Sequence, residues 1–197
     1  MSATLWVLLA VGLALVFWAV GAYNRLVRLK NAIANAFGQI DVQLKRRYDL
    51  IPNLVEVARK YLAHEAQTLE AVIAARNQAR SAEQGAAASP LNAGALGALA
   101  GAEQVLGGAL GRLFAVAEAY PDLKADQTMR ELSEELASTE NRLGFARQAY
   151  NDHVLEFNDA AAQFPTLIVA RLFNFQPQAM LASTTSEAER APVKVTF

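Results

Sequence analysis

No cysteine occurs in the 197 residues, and there are only two histidines, His64 and His153. The missing thiols exclude disulfides, thiolate catalysis and cysteine-ligated zinc. Charge is scarce as well: Asp, Glu, Lys and Arg make up 19% of the chain and nearly cancel, at a net −1. Attraction of the whole protein to nucleic acid or to acidic substrates is therefore not expected. The first 23 residues carry no charged side chain at all.

What fills that charge-free region is apolar. The run "LWVLLAVGLALVFWAVGA", residues 5–22, is long enough to cross about 30 Å of hydrocarbon as a helix. Both tryptophans, Trp6 and Trp18, lie in it, and Trp6 and Tyr23 stand near its ends, where amphipathic rings favour headgroups. A cleavable signal peptide is the alternative, and "VGA" at 20–22 resembles a cleavage site. The basic n-region of a signal is missing, however, and the apolar core is longer than signals need. The run is read as a retained anchor. Arg25, Arg28 and Lys30 follow it and no Lys or Arg precedes it. The expected arrangement is a single-pass membrane protein with residues 1–4 outside and the body in the cytoplasm.

Beyond the anchor the chain reads as helix throughout. Leu26, Leu29, Ile33, Phe37, Ile40 and Leu44 step by three or four, with no turn signal separating them from the anchor. One helix is expected to leave the bilayer and become the first helix of the body. Asp49 as a cap and Pro52 in the first turn predict a break near residues 48–51 and a second helix ending before Gly85. Ser89-Pro90 predicts the start of a third helix, and Pro121-Asp122 another corner. The fourth helix carries a seam of Met129, Leu132, Leu136, Thr139, Leu143, Ala146, Tyr150, His153, Phe157, Ala160 and Phe164, with Val154 able to replace His153. Such a seam needs neighbouring helices. The expected fold is all-α: a transmembrane helix (5–22) continuing into an antiparallel up-down four-helix bundle (23–164), then an interfacial or packing segment (165–176) and a flexible tail (177–197). Only "VKVTF" at the end hints at a strand.

The third helix is rich in glycine. Gly97, Gly101, Gly108 and Gly111 share a face opposite its leucines, and each costs about 1 kcal/mol relative to alanine in a helix interior. Close helix approach between subunits and a partly irregular segment are both compatible with that face.

Reactive groups are hard to find. A di-metal carboxylate bundle uses Glu-x-x-His pairs, but Tyr61 and Tyr150 stand three positions before the histidines. "HEAQT" at 64–68 does not complete H-E-x-x-H. No nucleophile elbow or phosphate-cradling glycine loop occurs. The acidic stretch Glu131, Glu134, Glu135 and Glu140 reads as a solvated face. No catalytic residue, cofactor site or metal site is expected. Lys45, Arg46 and Arg47 form the one basic triplet, too small and too poor in aromatics for nucleic acid. Asp41 supports Lys45 at i,i+4, and cations suit a helix C-terminus. The triplet is the candidate partner contact, placed at a corner of the bundle.

Residues 23–79, from "YNRLVRLKNAIANAFGQIDVQLKRRYDLIPNL" onward, resemble the signature half of the LemA family. "YPDLKADQTMRELSEELASTENRLGFARQAYNDHVLEFN", 120–158, resembles its second half, and "FP" followed by "LFNF" its tail. Phe37-Gly38 stands where an aromatic plus a small polar residue is usual, and the chain diverges after Phe175. The resemblance implies a bacterial membrane protein with one N-terminal span, a helical body and no established catalytic activity.

At the usual rise per residue, the fourth helix is about 60 Å long and returns to the bilayer surface. There "FPTLIVARLFNFQP" is apolar and aromatic apart from Arg171. Leu167, Ile168, Leu172 and Phe173 are the candidate membrane interface, the alternative being packing on the protein's own core. The functional expectation is a membrane-anchored, non-enzymatic scaffold, a homo-oligomer, binding lipid and other membrane or envelope proteins but no nucleic acid. The alternatives are an accessory or regulatory subunit of a membrane protease or envelope-assembly machine, and a carboxylate-metal enzyme.

Overall fold

The computed structural model describes residues 2–181, and the described residues contain helices and no strands. The C-terminal "VKVTF" and residues 182–197 of the expected tail lie outside them. The first helix, α1, runs unbroken from Ala3 to Arg59, 57 residues. Its N-terminal third is exposed apolar surface, and its burial begins at Ala22 and Leu26. As expected, the apolar helix and the first pillar of the body are one element.

The expected break at residues 48–51 does not occur. Pro52 lies inside α1, where it has no N–H to give to the carbonyl of Tyr48. That carbonyl instead accepts a hydrogen bond from Arg76 Nε on the next helix at 3.0 Å. The orphaned acceptor is satisfied from outside, so the helix continues and turns only at residues 60–65. α2 then spans Ala66–Ala88, beyond the expected end at Gly85. α3, Ala93–Ala117, starts after Asn92 rather than at Ser89-Pro90, because the Asn92 side chain accepts from Ala95 N at 3.0 Å. Pro121 opens a short α4, Pro121–Ala125. Asp126 caps α5, Gln127–Ala162: one carboxylate oxygen accepts from Met129 N at 2.9 Å and the other from the Tyr61 hydroxyl at 2.9 Å. One side chain thus starts α5 and ties it to the α1–α2 corner. A last helix, α6, covers Thr166–Leu172.

The long helices pack around one core, α1 against α5 and α2, and α2 against α3. Ile40, Leu44, Ile51, Val72, Leu106, Leu113, Leu143 and Phe157 are almost wholly buried in it. The edge between α3 and α5 is the open one. The seam of α5 buries as expected through Ala160, with Val154 inside in place of His153. Phe164 is the exception at 81% exposed, since it lies past the end of the helix.

α2 and α3 are each shorter than the paired parts of α1 and α5, so their hairpin covers only part of that pair. Residues 178–181 lie along α5 beyond that hairpin. Asn158 accepts from Gln178 N at 2.8 Å and donates to its carbonyl at 3.0 Å. Two turns earlier, Asn151 makes the same pair of bonds with Leu181, each at 2.8 Å. Two amide side chains on one helix face therefore clip the backbone of residues 178–181, the start of what was expected to be a flexible tail.

Candidate functional site

A cluster of charge lies inside the body. Arg47 on α1 is only 7% exposed, and its Nη1 stands 2.7 Å from Glu103 Oε2 on α3 and 3.0 Å from Glu140 Oε2 on α5. The Tyr48 hydroxyl donates to Glu103 Oε1 at 2.6 Å. Arg147 Nη2 approaches Glu103 Oε2 at 3.8 Å. Both oxygens of a nearly buried carboxylate are thus engaged, and two cations offset two anions across three helices. Burial raises the Tyr48 phenol far above its usual range, with the Glu103 charge adding to it, so the group stays a donor. One polar atom of the cluster is left over: Arg47 Nε has no partner among the described residues.

Above this cluster α3 and α5 enclose a groove of about 570 Å³. Gly107, Gly108 and Gly111 form one wall, Ser133, Leu136 and Ala137 the other, with Arg47 and Glu103 beneath. A Cβ built on any of these three glycines meets nothing within 4 Å. Among the described residues the glycine face therefore serves no close approach inside the chain.

The basic triplet is divided by the continuity of α1. It lies along a helix rather than at a corner. Lys45 is exposed and bonds Asp41 Oδ2 at 2.6 Å, the i,i+4 pair expected from the spacing. Arg46 is half exposed and pairs with Glu135 at 2.5 Å. Arg47 is the buried centre of the cluster. Glu135 and Glu140, expected on a solvated face, are arginine partners.

A second acidic pair adjoins the triplet. Glu83 on α2 is 1% exposed and within hydrogen-bonding reach of Asp41, and Lys45 Nζ is 3.8 Å from its Oε1. Among the described residues Asp41 Oδ1 and Glu83 Oε1 both lack a donor, and a proton on Glu83 would let it donate to Asp41. Burial, followed by the bond to Asp41, pushes the Glu83 carboxyl up to about 7. Asp41 is held below its usual range: its own burial opposes this, but the bonds from Glu83 and Lys45 prevail.

Sequence reasoning missed Tyr48, Glu83 and Glu103 as a group, although a signal existed. Glu103 stands in the α3 stripe of Leu96, Leu99, Leu106 and Leu110, and Arg47 falls between Leu44 and Ile51. Glu83 likewise continues Leu69, Val72, Ala75 and Ala79. A charge at a seam position needs an opposite charge facing it from another helix.

The other expected surface lies at the opposite end of the body. α6 packs on α1 and α5 through Val169 and Ala170, with Leu167 half-buried. Ile168, Leu172 and Phe173 remain exposed. The Phe173 and Phe175 rings meet Tyr23 edge-on, at centroid distances of 4.8 and 5.6 Å. Phe175 also meets the core ring of Phe157 at 6.3 Å.

Fold and site define an all-helical protein whose N-terminal helix is long and apolar enough to cross a membrane and continues without a joint into a charge-centred helical body. The chain belongs to the LemA family, whose model matches residues 36–197. It is also similar to the magnetosome protein MamQ of Magnetospirillum gryphiswaldense, 26% identical over 169 residues. The magnetosome proteins MamQ 1 and MamQ 2 of Paramagnetospirillum magneticum match to the same degree. Each alignment covers 78% of this chain and 62% of the relative, so the chain spans under two thirds of the length of the relatives it matches.

Proposed function

We propose that this protein is a membrane-tethered, non-enzymatic scaffold that holds a helical segment of another protein in the α3–α5 groove. The observation that carries the reading is the groove itself. Its wall is glycine with open space over each Cα, and the acids at its floor are tied to arginines. Glycine lets a partner helix approach closely, and the paired charges leave the groove shaped for packing rather than poised for proton transfer. The anchor is residues 5–22 in an inner membrane. Arg25, Arg28 and Lys30 beside it favour a body in the cytoplasm.

The test is a photo-crosslinking residue at Gln104, on the groove's edge, in intact cells. A discrete adduct with one identified polypeptide, lost on Gly111→Leu and absent from a crosslinker at Phe145, supports the proposal. A second copy of this chain as the adduct makes the scaffold a homo-oligomer. No adduct at Gln104, or one that Gly111→Leu leaves intact, overturns it. For orientation, Phe145→Cys, exposed on α5, should stay unlabelled by an impermeant thiol reagent in right-side-out spheroplasts. Labelling there reverses the topology.

A further inference from the structure

Large apolar side chains exposed on the body are not evenly spread. Beyond Tyr23 and among the described residues, Phe164, Ile168, Leu172 and Phe173 cluster in and beside α6, at 81, 56, 76 and 54% exposure, while Val42, Val105, Phe145, Leu155 and Met180 lie outside it. The opposite side of this short helix, Val169 and Ala170, is buried against the body. α6 is therefore held by one face and presents the other. A contiguous apolar face of this kind is unusual on a surface that meets only water.

The position of the face identifies what covers it. Tyr23 directly follows the apolar run, and the Phe173 ring lies against it at 4.8 Å. Phe175 joins the same ring at 5.6 Å and reaches back to core residue Phe157 at 6.3 Å. A relay of aromatic contacts thus fixes α6 at the level where α1 leaves the apolar segment. Cations surround that level: Arg25 and Arg28 on α1 and Arg171 on α6, all exposed. Apolar rings beside arginines match the boundary between acyl chains and anionic headgroups.

We infer that α6, with Phe164 and Phe173, is a membrane-surface foot that inserts into the headgroup boundary of the bilayer spanned by α1. The body is then held at two points, a span and a foot. A single helix leaves a body free to tilt; a second contact beside it sets its angle. Arg47 lies 24 residues beyond Tyr23 along α1, so the foot holds the groove about 36 Å above the surface. A partner must then present its helix at that height.

The inference rests on the reading of residues 5–22 as a span, and the experiment separates the two. The chain has no native cysteine, so single cysteines at Val16, Leu172 and Phe145 can each carry an environment-sensitive fluorophore. All three sites are exposed, which keeps the substitutions compatible with folding. The full-length protein is reconstituted in phosphatidylcholine–phosphatidylglycerol vesicles containing lipids with a nitroxide near the headgroup, which reads Leu172 and Phe145, or deep in the acyl chain, which reads Val16. The label at Leu172 should be quenched at least about threefold more steeply than the label at Phe145. Quenching at Val16 but not at Leu172 overturns the foot and leaves the span standing. Absence of quenching at Val16 overturns both. Equal quenching at Leu172 and Phe145 marks general adsorption and also overturns the foot.

Discussion

The carbonyl oxygen of Tyr48, deprived of its helical donor by Pro52, accepts a hydrogen bond from Arg76 Nε at 3.0 Å. This bond joins α1 to α2 and lets a helix pass through a proline. Removing the guanidinium leaves a part-buried carbonyl unpaired, at a cost of about 1–3 kcal/mol. Arg76→Ala should destabilise by that order in urea unfolding of the detergent-solubilised protein. In a Pro52→Ala background the same change should cost much less, since an alanine N–H satisfies Tyr48 directly. Equal costs in both backgrounds would separate Arg76 from the proline.

The Arg47–Glu103 pair sits at the junction of three helices, and removing one partner strands the other. Glu103→Ala and Arg47→Ala should each destabilise by about 3–5 kcal/mol, the range for breaking a buried ion pair. Tyr48→Phe removes one neutral donor to a charged acceptor and should cost less, about 1.5–3 kcal/mol. Thermal melts of the three variants test the order. A mild effect of Arg47→Ala would mean that Glu140 and Arg147 rearrange to neutralise Glu103.

Glu83 makes stability depend on pH. Its folded carboxyl is raised from 4.5 to about 7, so near pH 6 the folded protein holds a proton that the unfolded chain releases. The stabilisation is complete below about 4.5 and is lost as pH rises through about 7. Asp41, held low, acts in the opposite sense and only at pH values around and below 3.8. Between pH 5 and 8 the wild type should lose stability while Glu83→Gln stays flatter. At pH 8 the variant should be the more stable by about 1–3 kcal/mol. Parallel pH profiles for the two proteins would remove the shared proton.

Gly108 is exposed to a groove and a Cβ there meets nothing. Gly108→Ala should therefore stabilise the isolated protein by about 0.5–1 kcal/mol, since only helix propensity changes. If the groove receives a partner helix, the same methyl should weaken the Gln104 crosslink. A stability gain without weaker crosslinking would take the glycine wall out of docking.

The helical class, the apolar run, its continuity with α1 and the seam of α5 were legible in the sequence because each is periodic along one helix. The ends of elements were less so. Ser89 and Asn92 are both good caps, and only the folded chain shows that Asn92 bonds Ala95 N. Pro52 and Asp49 form a sound local signal for a break, yet a residue on another helix overrides it. The same override relocated the basic triplet, since a corner at residues 60–65 leaves Lys45, Arg46 and Arg47 along a helix side.

The length of an uncharged apolar run determined that residues 5–22 form an apolar helix, and periodicity that the rest folds by burying helical stripes, because side-chain direction repeats every 3.6 residues whatever the neighbours. Tertiary structure decided where Arg47 and Glu103 find their counter-charges, that Glu83 meets Asp41 and Lys45, how Tyr48 is satisfied past a proline, and that residues 178–181 are clipped by Asn151 and Asn158. Those contacts join residues from 20 to 93 positions apart, and local propensity carries no information about which distant side chain arrives.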